Sequence, residues 1–326
     1  MKKKNAQKLV TRIEQIPLYA HAYAFVLNFE QDEFTAIDLL NFAKEHQLKG
    51  ICIGTDYGSK KRLDHVSKKE LKHIRVYARK LGLQINLEVS STSKEDIDSA
   101  VRIARELGVI NIRVYIRHGG RLSEVIKRGI QELEYISKSA EKNNLHFVLE
   151  SHEVLKAQEL IEIIKKIDSP RIGALLDFGN MINAHEKPLD VLKVMSPHIS
   201  QVHLKGAKKK KMGKGYAQIG AHAGEDNFPH KNMLRNLLLL GESEPQIKCY
   251  GLVQQIGYYS PPYRFGNEEG EPLIPNREPS RTYLDGNSSV QEVLLVEREN
   301  AHKQVKYVKS LLDELRSEAE LYLPAS

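Results

Sequence analysis

Two cysteines, Cys52 and Cys249, are all that the 326 residues contain. They lie too far apart in sequence to suggest a metal knuckle and give no sign of a disulfide framework, so a reducing compartment is expected. No uninterrupted apolar run is long enough to cross a bilayer. The basic start, Met1-Lys2-Lys3-Lys4, is not followed by an apolar stretch, which excludes the usual secretory pattern. These absences predict a cytoplasmic protein with no membrane partner. The net charge of +7 gathers at residues 1–4, 60–62 and 208–211. No aromatic residue interrupts the lysines at 208–211, so a stacking platform for single strands is missing. The charge reads as solvated loop charge, and nucleic acid is not an expected partner. Convincing internal repeats and domain linkers are also missing.

What is present is alternation. Hydrophobic residues make up 41% and charged residues 28%, enough for a core under a polar surface. Strand patterns fall at 18–26, 50–54, 83–90, 109–117, 145–151, 172–177, 199–205 and 249–255. Helical patterns fall at 35–46, 68–81, 93–107, 123–143, 154–167, 188–194, 230–240 and 290–319. Strands that each lead into a helix imply a parallel sheet, and eight of them imply closure into a single (β/α)₈ barrel of the α/β class. An open doubly wound sheet is the competitor, but no Gly-rich phosphate turn follows the first strand. Residues 1–14 read as a basic N-terminal extension to one barrel domain covering 1–326.

Several strands are two-faced. Ile110, Ile112, Val114 and Ile116 oppose Asn111, Arg113, Tyr115 and Arg117; Ile85, Leu87 and Val89 oppose Gln84, Asn86, Glu88 and Ser90. A parallel strand covered on both sides should be apolar throughout. The polar face therefore points into a barrel interior that opens on a site, and the apolar face packs under the helices. Long connections at 206–229 and 256–289 leave the C-terminal ends of the last two strands, where barrel enzymes carry catalytic loops. The second reads as an ordered lid, or as an arm reaching a neighbouring subunit in a homo-oligomer.

Glu150, Asp177 and His203 end three consecutive strands, so they arrive together at one rim. Two carboxylates and an imidazole suit one divalent ion, Mn, Co, Mg or Zn. The bland alternative is strand-end residues satisfied by solvent. Around them, Val148-Leu149-Glu150-Ser151-His152, Gly173 to Asn180 and Gln201-Val202-His203-Leu204-Lys205-Gly206 resemble the sugar phosphate isomerase/epimerase family over almost the whole chain. The resemblance implies a xylose-isomerase-like barrel with Glu150, Asp177 and His203 as metal ligands. Departures accompany it. Asn180 stands where many members carry His, and Gly206 where an Asp often follows. Relatives present a metal-binding, acid/base Glu on the eighth strand; here Gln254 takes that place, with Gln255 one register away. A Gln oxygen can ligate a hard cation but exchanges no proton near neutrality, so symmetric two-carboxylate epimerisation is in doubt.

The chemistry implied is proton abstraction beside a carbonyl, on a small carbohydrate, keto-sugar or keto-acid. Candidate bases are Glu150, His152 and Glu88; His152 is equally a partner orienting a ligand. Arg117 and Lys205 are candidates to grip hydroxyls, a carboxylate or a phosphate, with ion pairing to buried acids as the alternative, while deeper Arg113 reads as structural pairing. His21 and Tyr23 share the inward parity of the first strand, and Tyr258 and Tyr259 could stack on a sugar or pack as lid. An isomerase or epimerase leads. A lyase or dehydratase on a keto-sugar or 3-keto-glycoside follows, since elimination needs one base. An abasic-site endonuclease lacks enough strand-end His for a three-zinc cluster. A barrel that binds a sugar or partner without turnover is the non-enzyme alternative.

Overall fold

The computed structural model of the chain describes residues 1–276 and 289–324. Eight parallel strands close into a barrel: β1 (Leu18–His21), β2 (Gly50–Gly54), β3 (Gln84–Glu88), β4 (Asn111–Val114), β5 (His146–Glu150), β6 (Ile172–Asp177), β7 (Ile199–Leu204) and β8 (Cys249–Leu252). Closure comes from β8 pairing with β1, Leu18 opposite Tyr250 and Ala20 opposite Leu252. Side chains alternate between the two faces of each strand. Ile51, Leu87, Ile112, Phe147, Leu176, Val202 and Tyr250 join one continuous core with the surrounding helices. Fully burying such a side chain contributes about 1.5–3 kcal/mol, so the outer layer holds the barrel and leaves the inner positions free for polar groups. Tyr19, Cys52 and Cys249 form a small separate cluster at the barrel floor.

Helix starts are marked by side-chain caps. Thr35, Ser67 and Ser289 each accept from the backbone N–H three residues on, and Asp38, Glu70 and Glu292 reach back, for α3 (Ala36–Glu45), α4 (Lys68–Leu81) and α10 (Val290–Glu320). Each such cap is worth about 1 kcal/mol. The long α10 packs as its apolar positions predict, burying Leu294, Val305, Val308, Leu311, Leu312 and Leu315.

Four readings change. The basic extension is a helix, α1 (Lys3–Glu14), because Ala6, Leu9, Val10 and Ile13 form a buried stripe between the lysines. Arg12 locks it to the loop before β8 by donating to the carbonyls of Leu238, Gly241 and Glu244 at 2.8, 3.1 and 2.9 Å. The first strand stops at His21; residues 22–25 make a 3₁₀ turn leading into α2 (Val26–Glu30), whose first amides are capped by Glu297 at 3.0 and 2.9 Å. Ile110 lies before β4 and is exposed rather than under a helix. The connection after β7 is a hairpin, Gly206–Met212 against Gly215–Ala221, with Tyr259–Ser260 as a third strand. Gly213, at φ +56°, opens its two-residue turn. Lysines 208–211 stand exposed on its outer strand, as solvated charge should.

The described part of the 256–289 segment packs on its own chain. Leu273–Ile274 pairs with Gly120–Arg121, and buried Arg264 holds Glu159 and Glu268 at 2.7 and 2.8 Å. Residues 277–288 of the predicted lid lie outside the described residues.

Candidate active site at the barrel mouth

The inward positions converge on a buried charge network. On β3, Glu88 Oε1 lies 2.9 Å from His21 Nε2 and 3.1 Å from His203 Nε2, and its Oε2 accepts from Arg113. The Tyr23 amide donates to His21 Nδ1 at 2.9 Å, so the His21 ring proton sits on Nε2 and points at Glu88. Burial holds His21 below its ordinary value against the pull of Glu88, and the ring stays neutral. Burial alone would raise Glu88, but Arg113, His21 and His203 outweigh it and hold the carboxyl well below its usual range.

One layer above, Glu150, Asp177 and His203 come together. Asp177 pairs in register with His203, and His203 with Gly251. The ring's Nδ1 lies 3.5 Å from Glu150 Oε1 and 3.8 Å from Asp177 Oδ2. Asp177 Oδ1 is fully engaged: the amides of Gly179 and Asn180 donate at 2.7 and 2.8 Å, and Lys205 Nζ lies at 3.1 Å. Asn180 donates to Glu150 Oε1 at 3.0 Å and accepts from Lys205 at 2.8 Å. This close threading needs Gly179, where an added Cβ would sit 2.3 Å from Lys205 Cε. Burial works against a charged His203, yet Glu88 and Glu150, close to either side of the ring, push it up to about 10. In this arrangement the His203 proton supplies the positive charge that three neighbouring carboxylates demand.

That is also the signature of a cation site. One ligand atom from each of Glu150, Asp177 and His203 lies within 4.8 Å of the others. Glu150 Oε2 makes no hydrogen bond although Arg113 Nε is 3.1 Å away. Buried polar groups are normally satisfied, and two carboxylates with an imidazole suit a borderline or hard divalent ion with open positions. A second trio, His21, Glu88 and His203, is equally close. There Glu88 already accepts from His21 and faces His203 Nε2, the carboxylate–histidine arrangement that orients a ligand's other nitrogen.

The pocket above has a volume of about 260 Å³. His21, Tyr23, Arg117, Glu150, His152, Asp177, His203, Lys205 and Tyr258 line it, so most predicted site residues do meet. His152 stacks on Tyr115, ring centroids 3.9 Å apart and 11° from parallel. Tyr258 donates to Glu153 at 2.5 Å, and Tyr259 lies on the hairpin side, its hydroxyl 3.0 Å from Met212 Sδ. Two placements are corrected. Glu88 lies under the pocket and is absent from its lining, because it is enclosed by His21, His203 and Arg113. Gln254 is off the site: Gly251 faces inward, where a Cβ would meet His203 at 3.1 Å and His21 at 3.4 Å, so the two-residue period brings Val253 to the mouth. Gln254 turns away and donates to the Ala221 carbonyl at 2.5 Å; Gln255 does not line the pocket either.

Glu30, Asp56 and Tyr57 also line the pocket and were missed, since they follow the ends of β1 and β2 outside any strand pattern. Tyr115 carried a signal: it shares the inward parity of Arg113 and Arg117. A larger groove, about 740 Å³, lies at the opposite end of the barrel between α1 and residues 242–245, away from these groups.

Residues 13–247 match the sequence model of a family described as "Xylose isomerase-like TIM barrel". Uncharacterized protein YihM of Escherichia coli (strain K12) is 38% identical over 315 residues, 97% of either chain. The 3-oxo-isoapionate decarboxylase of Pectobacterium atrosepticum is 27% identical over 143 residues, 44% of this chain and 52% of that one. Among solved structures, D-psicose 3-epimerase in the presence of D-fructose superposes with a TM-score of 0.63 at 11% identity, covering 91% of this chain and 99% of the other. With residues 13–247, well over half of the chain, matching that model and eight parallel strands closing into a barrel, this chain belongs to the xylose isomerase-like TIM-barrel family.

Proposed function

We propose that the chain is a divalent-metal-dependent enzyme that removes a proton beside the carbonyl of a small keto-sugar, using one base on one side of the pocket. The observation that carries this reading is the contrast between neighbouring strands around the mouth. Glu150, Asp177 and His203 stand on one wall, while β8 presents only Gly251 and Val253. An ion held by Glu150, Asp177 and His203 would polarise the carbonyl and stabilise an enediolate. His152 is the base: it lines the pocket two residues beyond Glu150, and its stacking on Tyr115 fixes the ring plane. Lys205, held between Asp177 and Asn180, presents an ammonium to developing negative charge on substrate oxygen. Glu88 and His21 act through His203 by orienting its ring. The ion is Mn, Co, Mg or Zn by donor chemistry.

One base suffices for isomerisation, where the proton returns to the neighbouring carbon. Epimerisation inverts a carbon and needs an acid on the opposite face, which Val253 cannot supply. A second reading is therefore a lyase on the same kind of substrate, in which the enediolate expels a β-hydroxyl as water or a glycosidic group, or in which a β-keto acid loses carbon dioxide and its bonding pair passes into the carbonyl to form the enolate. Its support is that β8 carries no acid at its inward end, where Gly251 and Val253 stand, together with the similarity to a protein named as a decarboxylase.

The test is deuterium uptake from D₂O into a panel of ketoses, keto-acids and 3-keto-glycosides by metal-loaded protein. Uptake with conversion to an aldose supports isomerisation, and product release supports the lyase. His152→Gln should lower the rate about 10²- to 10⁴-fold while bound metal stays the same. Full exchange in that variant rejects His152 as the base. No exchange by the parent with any substrate rejects the reaction and favours a sugar-binding barrel.

A further inference from the structure

The cations in the pocket are not equivalent. Arg113 is paired with Glu88 and Glu150, and Lys205 with Asp177. Arg117 lines the same pocket from beyond the end of β4, yet among the described residues it makes no ion pair. Its hydrogen bond, from Nη1 to the Ser90 carbonyl, is a long 3.4 Å. Its guanidinium carbon lies 5.8 Å from the Tyr115 ring centroid, while His152 stacks on that ring at 3.9 Å. The group is thus half-buried and positioned against an aromatic ring, with charge and donors to spare. Acids lie elsewhere in the lining: Glu30 follows β1 and Asp56 follows β2. The pocket is consequently polar end to end, cationic beside β4 and acidic beside β1 and β2.

We infer that Arg117 forms an anion subsite and that the substrate is a monosaccharide-sized sugar carrying a carboxylate or phosphate remote from its carbonyl. The inference rests on the reading above that the pocket takes a small keto-sugar. A planar guanidinium fits either group through two parallel hydrogen bonds. With the anion seated beside β4, the ligand's hydroxyl end runs toward Glu30 and Asp56, whose carboxylates accept from hydroxyls and repel a second anion. Orientation then follows from charge: the carbonyl is presented to the Glu150, Asp177 and His203 wall in one direction only. This assigns Arg117 to specificity, as a group that touches substrate away from the reacting atoms.

Three ligands that differ only at C6 test it: D-fructose, D-fructuronate and D-fructose 6-phosphate. Their affinities for the full-length protein are measured by calorimetry, with and without Mn²⁺. The expected result is one charged ligand binding about ten- to a hundredfold tighter than fructose, and which one wins identifies the group. Arg117→Ala should bring that ratio close to one, and Arg117→Lys should restore part of it, while the exposed-hairpin control Lys210→Ala leaves it as in the parent. No preference in the parent, including no measurable binding of any of the three at millimolar concentration, overturns the subsite. So does a preference that survives in a folded Arg117→Ala. Because the readout is binding, a preserved preference with failed deuterium exchange rejects the reaction alone, and intact exchange with no preference rejects the subsite alone.

Discussion

Two arcs of strands meet around the mouth of this barrel and are built from opposite materials. On β5, β6 and β7 the strand ends are Glu150, Asp177 and His203, braced by Arg113, Lys205 and Asn180. On β8 and β2 the corresponding inward positions are Gly251, Val253, Cys52 and Gly54, and β1 adds a His21 already committed to Glu88. A barrel of parallel strands allows any rim position to carry chemistry, so the asymmetry is a property of this sequence and not of the fold. On the function proposed above, ion binding and proton transfer come from one arc, and the other shapes the pocket.

The largest effects should follow from emptying the charged arc. Asp177→Ala and His203→Ala are each expected to abolish the bound ion and to lower turnover by about 10³-fold or more, the scale of losing a principal stabiliser of developing charge. Elemental analysis of protein purified without chelator reads the ion directly, and about one per chain in the parent is the reference. Retention of the ion in either variant would break the comparison, because it would move the site off this arc.

The first of these arcs was legible in the sequence and the second was not. Glu150, Asp177 and His203 end apolar strands, and a two-residue period applied to any one of them points it inward. The same rule applied to 249–255 requires knowing which residue starts facing in, and the run Gly251-Leu252-Val253-Gln254 offers no polar anchor to set it. The position of Gly251 beside His203 and His21 fixes that register only in three dimensions. Glu88 was placed on the right strand and face, but its depth depends on how far each strand rises before the mouth. The helix at Lys3–Glu14 was hidden for a different reason: the lysine run at residues 2–4 masks its start, while four buried apolar residues at helical spacing do the packing. Glu30 ends the five-residue helix α2 and Asp56 lies in the turn after β2, segments too short for periodicity to carry information.

The acids of the charge network and the acid that caps α2 also differ in how they hold their protons, and pH separates them. Glu88 and Glu150 are kept ionised by Arg113 and neighbouring rings, against burial. Glu297, where α10 meets α2, accepts from Asn28 and from the Leu27 and Asn28 amides, yet burial outweighs them and pushes it up to about 7. Its folded form therefore binds a proton more readily than its unfolded form, whose ordinary value is 4.5. The stability this contributes is fully present below about 4.5 and is lost as pH rises through about 7. Between pH 5 and pH 8 the parent should lose on the order of 2 kcal/mol relative to Glu297→Gln, measured by denaturant unfolding at each pH. Parallel curves for the two proteins would mean that Glu297 holds its proton as the acids of the charge network do.

The smallest effect is the sharpest test of the comparison, because it tries to convert one arc into the other. Val253→Glu adds a carboxylate at the β8 position that faces the cluster, whereas Gln254→Glu adds the same group one residue further, where the side chain turns toward Ala221. Hard divalent ions bind more tightly as anionic oxygen ligands are added. Val253→Glu is accordingly expected to tighten Mn²⁺ by about tenfold, read by competition with a fluorescent chelator, and to open exchange from the second face of the substrate carbon. Gln254→Glu should leave the affinity where it is and weaken folding modestly, by about 1–3 kcal/mol, since it removes the only N–H that the buried amide offers to the Ala221 carbonyl. If Gln254→Glu tightens the ion and Val253→Glu does not, the inward register of β8 is the reverse of that described, and the mouth carries a fourth ligand after all.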